Sequence, residues 1–590
     1  MRTNIMRNFL KKLLMIIGGM TLFMGFAGIV TVIFLGLTRE DVPEKVFLEL
    51  DFEKELSEYV PDDSAARMML DDTPTVLDMI EALQKASDDE RVVGLVARIG
   101  NAKMGFARVQ EIRNAIMAFR RTEKTTVAHS DTFGEFGSGN GSYYLATAFE
   151  NIYLQPSGDI SLTGLMLETS FLKGALDKLG IAPRMAQRHE YKNYMNIFTE
   201  EQYTEPHKEA LCKIMASVFG QMTGDIGKAR NLSPEDVHAL TEHGLFLGQE
   251  AVNAKLADGL AYRDEVYEKI RAEAGEDVEF LSPWEYLNRG GRLYDKGRTI
   301  ALIYGVGGVQ RGKSRYNPLT GDIVMGSDTL TAAFRAAAED EDVSAIIFRI
   351  SSPGGSYVAS DSIWRETIRA KAAGKPVIVS MGNVAGSGGY FVAMAADKIV
   401  AQPATITGSI GVLGGKMVTA GLWEKLGISW DEINTGPHAT MWTGTQDYTP
   451  EQWARLQDLL DRIYADFTDK VAEGRHLSRE SVAEIARGRV WTGEDALHLG
   501  LVDELGGFTR AIRLAGKAAK IPESEEIRLK IFPRKKDILE IVKENISNTA
   551  LVRTLAAIQP VIRSLKEIGI SNLSDRELSV PDWEAYRDLR

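Results

Sequence analysis

Residues 390–412 read YFVAMAADKIVAQPATITGSIGV, and residues 143–165 read YYLATAFENIYLQPSGDISLTGL. Seven of these 23 positions are identical at a constant offset of 247. Further matches lie in the same order on both sides: SDDERVVGLVARI (87–99) with AEDEDVSAIIFRI (338–350), KLGI (178–181) with KLGI (425–428), and RNLSPEDV (230–237) with RHLSRESV (475–482). Self-similarity of this extent indicates one domain present twice in the chain.

Each copy alternates strand signals with helix signals. VSAIIFRI (343–350) and KPVIVSM (375–381) are short β-branched apolar runs typical of buried strands, while SDTLTAAFRAAAEDED (327–342) has helical spacing behind a polar start. This alternation predicts an α/β fold with a largely parallel sheet, in which ligands bind where strand ends meet helix starts. The glycine clusters SSPGGS (351–356) and NVAGSGGY (383–390) fall at two such points.

Composition limits the classes of function. A chain of 590 residues is too long for one core, so it has two or more domains. The net charge of -13 argues against nucleic-acid binding, which needs clustered Lys and Arg. The single cysteine, Cys212, excludes an intramolecular disulfide and a cysteine-based metal site.

The N-terminus contains an apolar run that is long enough to cross a bilayer. Residues 13–37 hold no charge in 25 positions, whereas a spanning helix needs about 20 residues. Four basic residues precede the run, which predicts that residues 1–12 lie in the cytoplasm and that the rest of the chain lies outside it. We expect an uncleaved anchor, because the run is longer than the apolar region of a signal peptide and lacks an obvious cleavage site.

These patterns predict five segments along the chain. They are a cytoplasmic N-terminus (1–12), a transmembrane anchor (13–37), a first repeat (45–290), a second repeat (295–520) and a C-terminal helical extension (521–590).

The two copies differ at a hydroxyl and at a pair of glycines. Ser409 in GSIG aligns with Leu162 of the first copy, while Gly354 and Gly355 align with Lys103 and Met104. Loss of the glycines is expected in a copy without a nucleophile, provided that their backbone N–H groups serve a reacting carbonyl. We therefore interpret Ser409 as a candidate nucleophile.

A serine nucleophile needs a neighbouring base, and the opposite loss suggests one. Lys192 lies in HEYKNYMNIF, where apolar neighbours would lower the pKa of its amine, and it aligns with Ala439 of the second copy. His189 and His438 are the alternative bases nearest in the repeat frame. The reciprocal losses predict a site shared between the copies, formed within one chain or between chains.

The motifs SSPGGS, NVAGSGGY, TGSIGV and WTGEDALHLGLVDELGG, together with EYKNYMNIF in the first copy, resemble the signal peptide peptidase A (protease IV) family in its long, duplicated form. That family belongs to the Clp protease and crotonase superfamily, so the resemblance implies tandem Clp/crotonase-like domains behind a transmembrane helix. The resemblance covers roughly residues 45 to 535.

The resemblance also implies roles for particular residues. It implies a Ser/Lys dyad, with Ser409 as nucleophile and Lys192 as general base, and no metal or cofactor. Backbone amides near Gly354 or Gly355, with that of Ile410, would form the oxyanion hole. Gly408 would allow close backbone approach, and Thr435 is a candidate hydroxyl partner for Lys192.

The expected function is that of a membrane-anchored serine endopeptidase that degrades residual signal peptides and other hydrophobic peptides. The resemblance implies a homotetramer. The apolar run and its flanking charges predict a single-pass protein of the plasma membrane with periplasmic catalytic domains, and the net charge predicts no nucleic-acid partner. The alternative is a non-catalytic membrane scaffold or chaperone on a protease-like fold, which would need neither the serine nor the lysine.

Overall fold

The computed structural model describes residues 41–54, 56–61, 73–100, 104–317 and 320–534. The predicted cytoplasmic segment and anchor lie outside these residues, as does the part of the predicted C-terminal extension after residue 534. Within the described ranges, no helix combines the length and the apolar character that crossing a bilayer requires.

The first repeat is built around a six-stranded parallel sheet in the order β8-β4-β3-β2-β1-β9. Strands β1 to β9 are Val46–Asp51, Val92–Arg98, Thr125–Ser130, Asn151–Leu154, Asp159–Ser161, Ala182–Gln187, Leu245–Leu247, Gly259–Leu260 and Glu279–Leu281. Helices α1 to α10 are Val76–Asp88, Phe106–Arg120, Asn140–Ala146, Lys173–Leu179, Asn196–Thr199, Glu205–Arg230, Pro234–His243, Gln249–Asn253, Arg263–Ala274 and Pro283–Gly290.

The second repeat has the same plan, with an eight-stranded sheet whose main path is β19-β17-β15-β14-β10-β21. Strands β10 to β21 are Arg298–Val306, Gly308–Gln310, Arg315–Tyr316, Ile323–Gly326, Val343–Ser352, Val377–Gly386, Lys398–Ala401, Ile406–Gly408, Leu413–Val418, Val490–Thr492, Glu504–Leu505 and Ile527–Phe532. Helices α11 to α18 are Ser327–Glu339, Tyr357–Ala372, Gly388–Phe391, Ala420–Lys425, Pro450–Arg475, Arg479–Ile485, Gly493–His498 and Phe508–Ala518.

The predicted α/β alternation is confirmed, and its cause is burial. Nearly every residue of β14 is buried, because helices cover both faces of a parallel sheet and the strand can be apolar throughout. Helix α11 instead buries one stripe, formed by Leu330, Ala333, Phe334 and Ala337. The structure therefore shows two α/β domains in tandem.

The second repeat extends beyond residue 520, where the sequence analysis placed its end. Strand β21 (Ile527–Phe532) pairs in parallel with β10, just as β9 pairs with β1 in the first repeat. Ile527, Leu529 and Ile531 alternate with charged residues, which is the two-residue period of an edge strand. The segment starting at residue 521 thus begins as part of the second sheet and not as a helical extension.

A buried ionic cluster joins the two repeats. The guanidinium of Arg349 on β14 is fully buried and donates to Glu58 at 2.6 Å and to Glu111 of α2 at 2.7 Å. Glu111 also accepts from the amide of Phe508 at 2.6 Å. Removing either carboxylate would leave the buried guanidinium with one ionic partner where it has two, which is costly, so this cluster holds the repeats in one arrangement.

Candidate active site

A two-stranded ladder brings the repeats together at the site. Strand β6 of the first repeat pairs antiparallel with β18 of the second, and the Arg188 amide extends the ladder by donating to the Val412 carbonyl at 2.9 Å. Lys192 follows β6 by five residues, and Ser409 precedes β18 by four. Because the strands are antiparallel, these two residues come to the same end of the ladder, within one chain.

The amine of Lys192 lies among three oxygens. Its Nζ is 2.9 Å from the hydroxyl of Ser387, 2.9 Å from the hydroxyl of Ser409 and 2.9 Å from the Ser409 carbonyl. The residue is only 3% exposed, and burial lowers the pKa of Lys192 to about 7. Near neutral pH the side chain is therefore present in large part as the neutral amine that a general base requires.

Ser387 occupies a sharp turn between a strand and a helix. Strand β15 ends at Gly386 and α13 begins at Gly388, leaving Ser387 between them at φ 52° and ψ -118°. Such backbone angles are strained for a residue with a side chain and persist mainly where a side chain must be aimed. Strand-to-helix turns of this kind present the nucleophile in α/β-hydrolases. Ser387 is half-buried, so a substrate can reach it.

The paired glycines lie against Ser387. A Cβ on Gly354 would stand 2.7 Å from the Ser387 Cβ and 2.7 Å from the Gly388 nitrogen, so only glycine permits this approach. The Gly354 amide donates to Ser352 Oγ at 3.2 Å. Among the described residues, the amides of Gly355 and Gly388 have no hydrogen-bond partner. Two free N–H donors therefore lie beside the Ser387 side chain, as an oxyanion hole requires.

This arrangement argues against the nucleophile predicted from sequence. Ser409 is 1% exposed and its hydroxyl contacts the buried Lys192 amine, whereas Ser387 is only partly buried. Ile410, predicted as an oxyanion donor, is fully buried in the core. Gly408, at φ 78°, packs against the indole ring of Trp491, and a Cβ there would lie 2.9 Å from that ring. Both hydroxyls contact the amine, and Ser387 is the more exposed of the two residues.

The sequence contains a signal that would have found Ser387. It stands between glycines in NVAGSGGY, directly after a buried strand and before a helix, which is the context of a nucleophile turn.

The structure does not bring the remaining candidates to the amine. Thr435 is exposed in the loop before α15, and the hydroxyls at Lys192 come from the serine pair instead. His438 is exposed in the same loop. The ring of His189 packs on Tyr464, with ring centroids 4.6 Å apart, beside a surface cavity of about 380 Å³.

Comparison with known proteins gives the family. The profile described as "Peptidase family S49" matches residues 120–277 and 369–522, one match in each repeat. The chain belongs to peptidase family S49. It is a serine peptidase, so the alternative of a non-catalytic scaffold is not retained.

Relatives of this S49 peptidase match most of its length. The chain is 32% identical over 480 residues to "Serine protease SPPA, chloroplastic" of Arabidopsis thaliana, covering 80% of this chain and 70% of that protein. It is 30% identical over 502 residues to "Protease 4" of Salmonella typhi, covering 83% and 78%. Among solved structures, that of a ClpP1 mutant from Listeria monocytogenes is 16% identical with a TM-score of 0.23, covering 36% of this chain and 94% of that one.

The first repeat of the S49 peptidase lacks the chemical groups of the second. Leu162, the counterpart of Ser409, is fully buried in the core. Met104 stands where the second repeat has Gly355, while Lys103 lies outside the described residues. The first repeat therefore contributes Lys192 and no hydroxyl. Over the described part of the chain, no group of three or more His, Cys, Asp or Glu side chains is placed to hold a metal ion.

Proposed function

We propose that this S49 peptidase is a membrane-anchored serine endopeptidase in which Ser387 is the nucleophile and Lys192 the general base. One observation carries this proposal. The buried amine lies 2.9 Å from the hydroxyl of a partly buried serine that has two free backbone amides beside it. Nucleophile, base and oxyanion donors thus meet at one point, which is the arrangement that acyl transfer needs.

The reaction follows from this geometry. The neutral amine of Lys192 takes the proton of Ser387 Oγ as that oxygen attacks the peptide carbonyl carbon, and the amides of Gly355 and Gly388 bind the resulting oxyanion. The Lys192 ammonium then gives its proton to the leaving nitrogen, which departs as an amine and leaves an acyl-enzyme. A water molecule loses a proton to the amine, attacks the ester carbon and releases the acid, and Ser387 regains its proton. Ser409 holds Nζ in place throughout.

We further propose that residues 13–37 anchor the enzyme in the plasma membrane as a single-pass helix, with the catalytic repeats in the periplasm. The uncharged run and the basic residues before it support this topology. An anchored active site meets peptides that remain in the bilayer. Residual signal peptides and other hydrophobic peptides are therefore the proposed substrates.

Two exposed segments support a homo-oligomer. At the offset of 247, residues 429–434 correspond to β6 and residues 166–171 correspond to β18, the strands that pair within the chain. In the described structure neither segment makes a backbone hydrogen bond to another segment. Trp430, Ile433 and Met166 expose large apolar side chains there. We propose that 429–434 of one copy pairs with 166–171 of the next, closing a ring of four.

Trp430→Asp should dissociate this assembly, because a buried carboxylate without a partner opposes the contact. Trp284→Asp is the matched control, since Trp284 is 58% exposed, against 60% for Trp430, and lies on α10 away from both segments. Sedimentation velocity on the full chain in detergent should show a smaller species for Trp430→Asp only. An unchanged sedimentation coefficient for that variant would contradict the proposed interface.

The pH profile tests the proposed function. Since the active amine is neutral and the pKa of Lys192 is about 7, kcat/KM for an apolar peptide should rise through about pH 7 and level off above it. His189 is the alternative base, so His189→Asn is measured in parallel and should keep the same pH limb, that is, the same rise of kcat/KM with pH. A rise of kcat/KM near pH 10 in wild type, or loss of the rise near pH 7 in His189→Asn, would refute the assignment of Lys192 as the base.

A further inference from the structure

Three consecutive residues, Arg487, Gly488 and Arg489, contact both sides of the site through their backbone. The Arg487 carbonyl accepts from the Tyr191 amide at 3.2 Å, next to Lys192. The Gly488 amide donates to the Ile410 carbonyl at 2.8 Å, and the Arg489 carbonyl accepts from the Ser409 amide at 2.7 Å. The backbone of segment 487–489 is thus hydrogen-bonded both to the residue before Lys192 and to the Ser409–Ile410 segment.

Gly488 packs directly on the backbone of Lys192. A Cβ at this position would lie 2.6 Å from the Lys192 nitrogen, 2.6 Å from its Cβ and 2.7 Å from its Cα. Gly488 also has φ 79°, a backbone angle that favours glycine. Any side chain at this position would push the main chain of Lys192 away from the serines.

The side chain of Arg489 holds the residue next to Lys192. Its guanidinium stacks between the rings of Tyr191 and Trp491, 4.7 Å from each centroid. It pairs with Glu209 at 2.8 Å, and Glu209 accepts from the Tyr191 hydroxyl at 2.7 Å. Arg489 and Glu209 together therefore restrain Tyr191 at its ring and at its hydroxyl.

Comparison with the first repeat shows which features of segment 487–489 belong to the common fold and which occur only beside the serines. There the Leu162 amide donates to the Gly244 carbonyl at 2.7 Å, the same bond that Ser409 makes to Arg489. Gly244 aligns with Arg489 and His243 with Gly488, at the offset of 245 found for this region. The backbone bond thus occurs in both repeats. The glycine that fits against Lys192 and the arginine that holds Tyr191 occur only in the repeat that carries the serines.

We propose that segment 487–489 is a positioning element that sets the place of the Lys192 amine relative to Ser387 and Ser409. Gly488 sets the distance by close packing, and Arg489 prevents the Tyr191–Lys192 segment from moving outward. This inference rests on the proposed function, because it assigns a role to the segment in that reaction.

Gly488→Ala tests the packing, and Gly374→Ala is its matched control. Gly374 also has φ 79°, but nothing lies within 4 Å of the position of its Cβ, so this variant carries the backbone strain without the clash. Both are measured in the full chain against an apolar peptide. We expect kcat to fall at least about tenfold more in Gly488→Ala, with KM nearly unchanged. We also expect its pH limb to move above that of wild type, because a displaced amine is less buried. Equal losses in the two variants, or a limb that stays in place, would overturn the proposal.

Arg489→Met tests the restraint on Tyr191, with Arg479→Met as control. Arg479 is an exposed arginine that pairs with Asp469 at 3.0 Å. It lines the surface cavity beside His189, and its ion pair involves neither Tyr191 nor Lys192. Arg489→Met should lower kcat and raise the pH of the limb, and Arg489→Lys, which keeps the charge toward Glu209, should recover part of both. A wild-type limb in Arg489→Met would overturn the role of Arg489. Should either site variant fail to fold, Glu209→Gln on the exposed surface of α6 provides the same readout.

Failure of the inference is distinguishable from failure of the proposed function. Wild-type enzyme that does not hydrolyse the peptide, or a Ser387→Ala enzyme that does, would remove the proposed reaction itself. Active wild type, inactive Ser387→Ala and an unshifted limb in Gly488→Ala would remove only the positioning role.

Discussion

Ser387→Ala will reduce kcat for peptide hydrolysis by on the order of 10⁵-fold or more, since loss of a nucleophile removes the covalent route entirely. Ser409→Ala will reduce it only about tenfold, because that change removes one hydrogen bond to the amine of Lys192 and leaves the attacking hydroxyl in place. A fluorophosphonate probe, which reacts with nucleophilic serines, should form its adduct on Ser387 in wild type and in Ser409→Ala. Peptide mapping by mass spectrometry locates the adduct.

Ser130→Ala is the control for loss of a buried hydroxyl. Ser130 lies in β3 of the first repeat, where its hydroxyl donates to the Ile99 carbonyl at 2.6 Å. This variant should retain hydrolysis and probe labelling. An adduct on Ser409, or full activity of Ser387→Ala, would return the nucleophile role to Ser409.

Lys192→Met will lower kcat by about 10³-fold, the usual contribution of a general base, and will also stabilise the protein at pH 7. The pKa of Lys192 is about 7 in the folded chain and near 10.5 when the chain unfolds. Between those values the unfolded state binds more protons, so stability rises with pH across that window and is lower at pH 7 than at pH 10. Methionine has a similar length and carries no charge to desolvate. We therefore expect a higher Tm at pH 7 and a flatter dependence of Tm on pH from 7 to 10.

Lys416→Met is the matched control, because burial also lowers the pKa of Lys416, whose Nζ donates to the Met441 carbonyl at 3.0 Å outside the site. It should keep full activity. A Lys192→Met enzyme with substantial hydrolysis, or one destabilised at pH 7, would contradict the role of a buried neutral amine. Since both groups come from one chain, mixing Ser387→Ala with Lys192→Met should restore no activity.

The fold could be predicted because its signals are local and occur twice. Buried parallel strands such as β14 are apolar throughout, and their helices have one apolar stripe, so the alternation is readable in either repeat. Strand β21 was missed because it lies beyond the segment that repeats strongly. Its counterpart β9 has only three residues, Glu279–Leu281, and too little sequence in common with Ile527–Phe532 to be recognised.

The site could be predicted only in part, for a physical reason. Comparing the copies located Lys192, since burial of an amine needs apolar neighbours that the sequence shows. The same comparison led to Ser409 and did not consider Ser387, although accessibility to substrate decides which hydroxyl attacks. Accessibility depends on how β15, β17 and the 353–355 turn are arranged in space, and a linear pattern does not contain that information. The proposed contact of Thr435 with Lys192 is absent from the structure for the same reason, because Thr435 lies in an exposed loop.

The ladder of β6 and β18 also determines when during synthesis the enzyme can become active. The base is translated 195 residues before the nucleophile, and each belongs to a different repeat. An N-terminal half that has folded alone holds an amine without a hydroxyl to activate, and an isolated second half holds the hydroxyl without its amine. Proteolytic activity therefore begins only when the two repeats have docked. A chain that ends before the second repeat therefore holds the amine without the hydroxyl that it would activate.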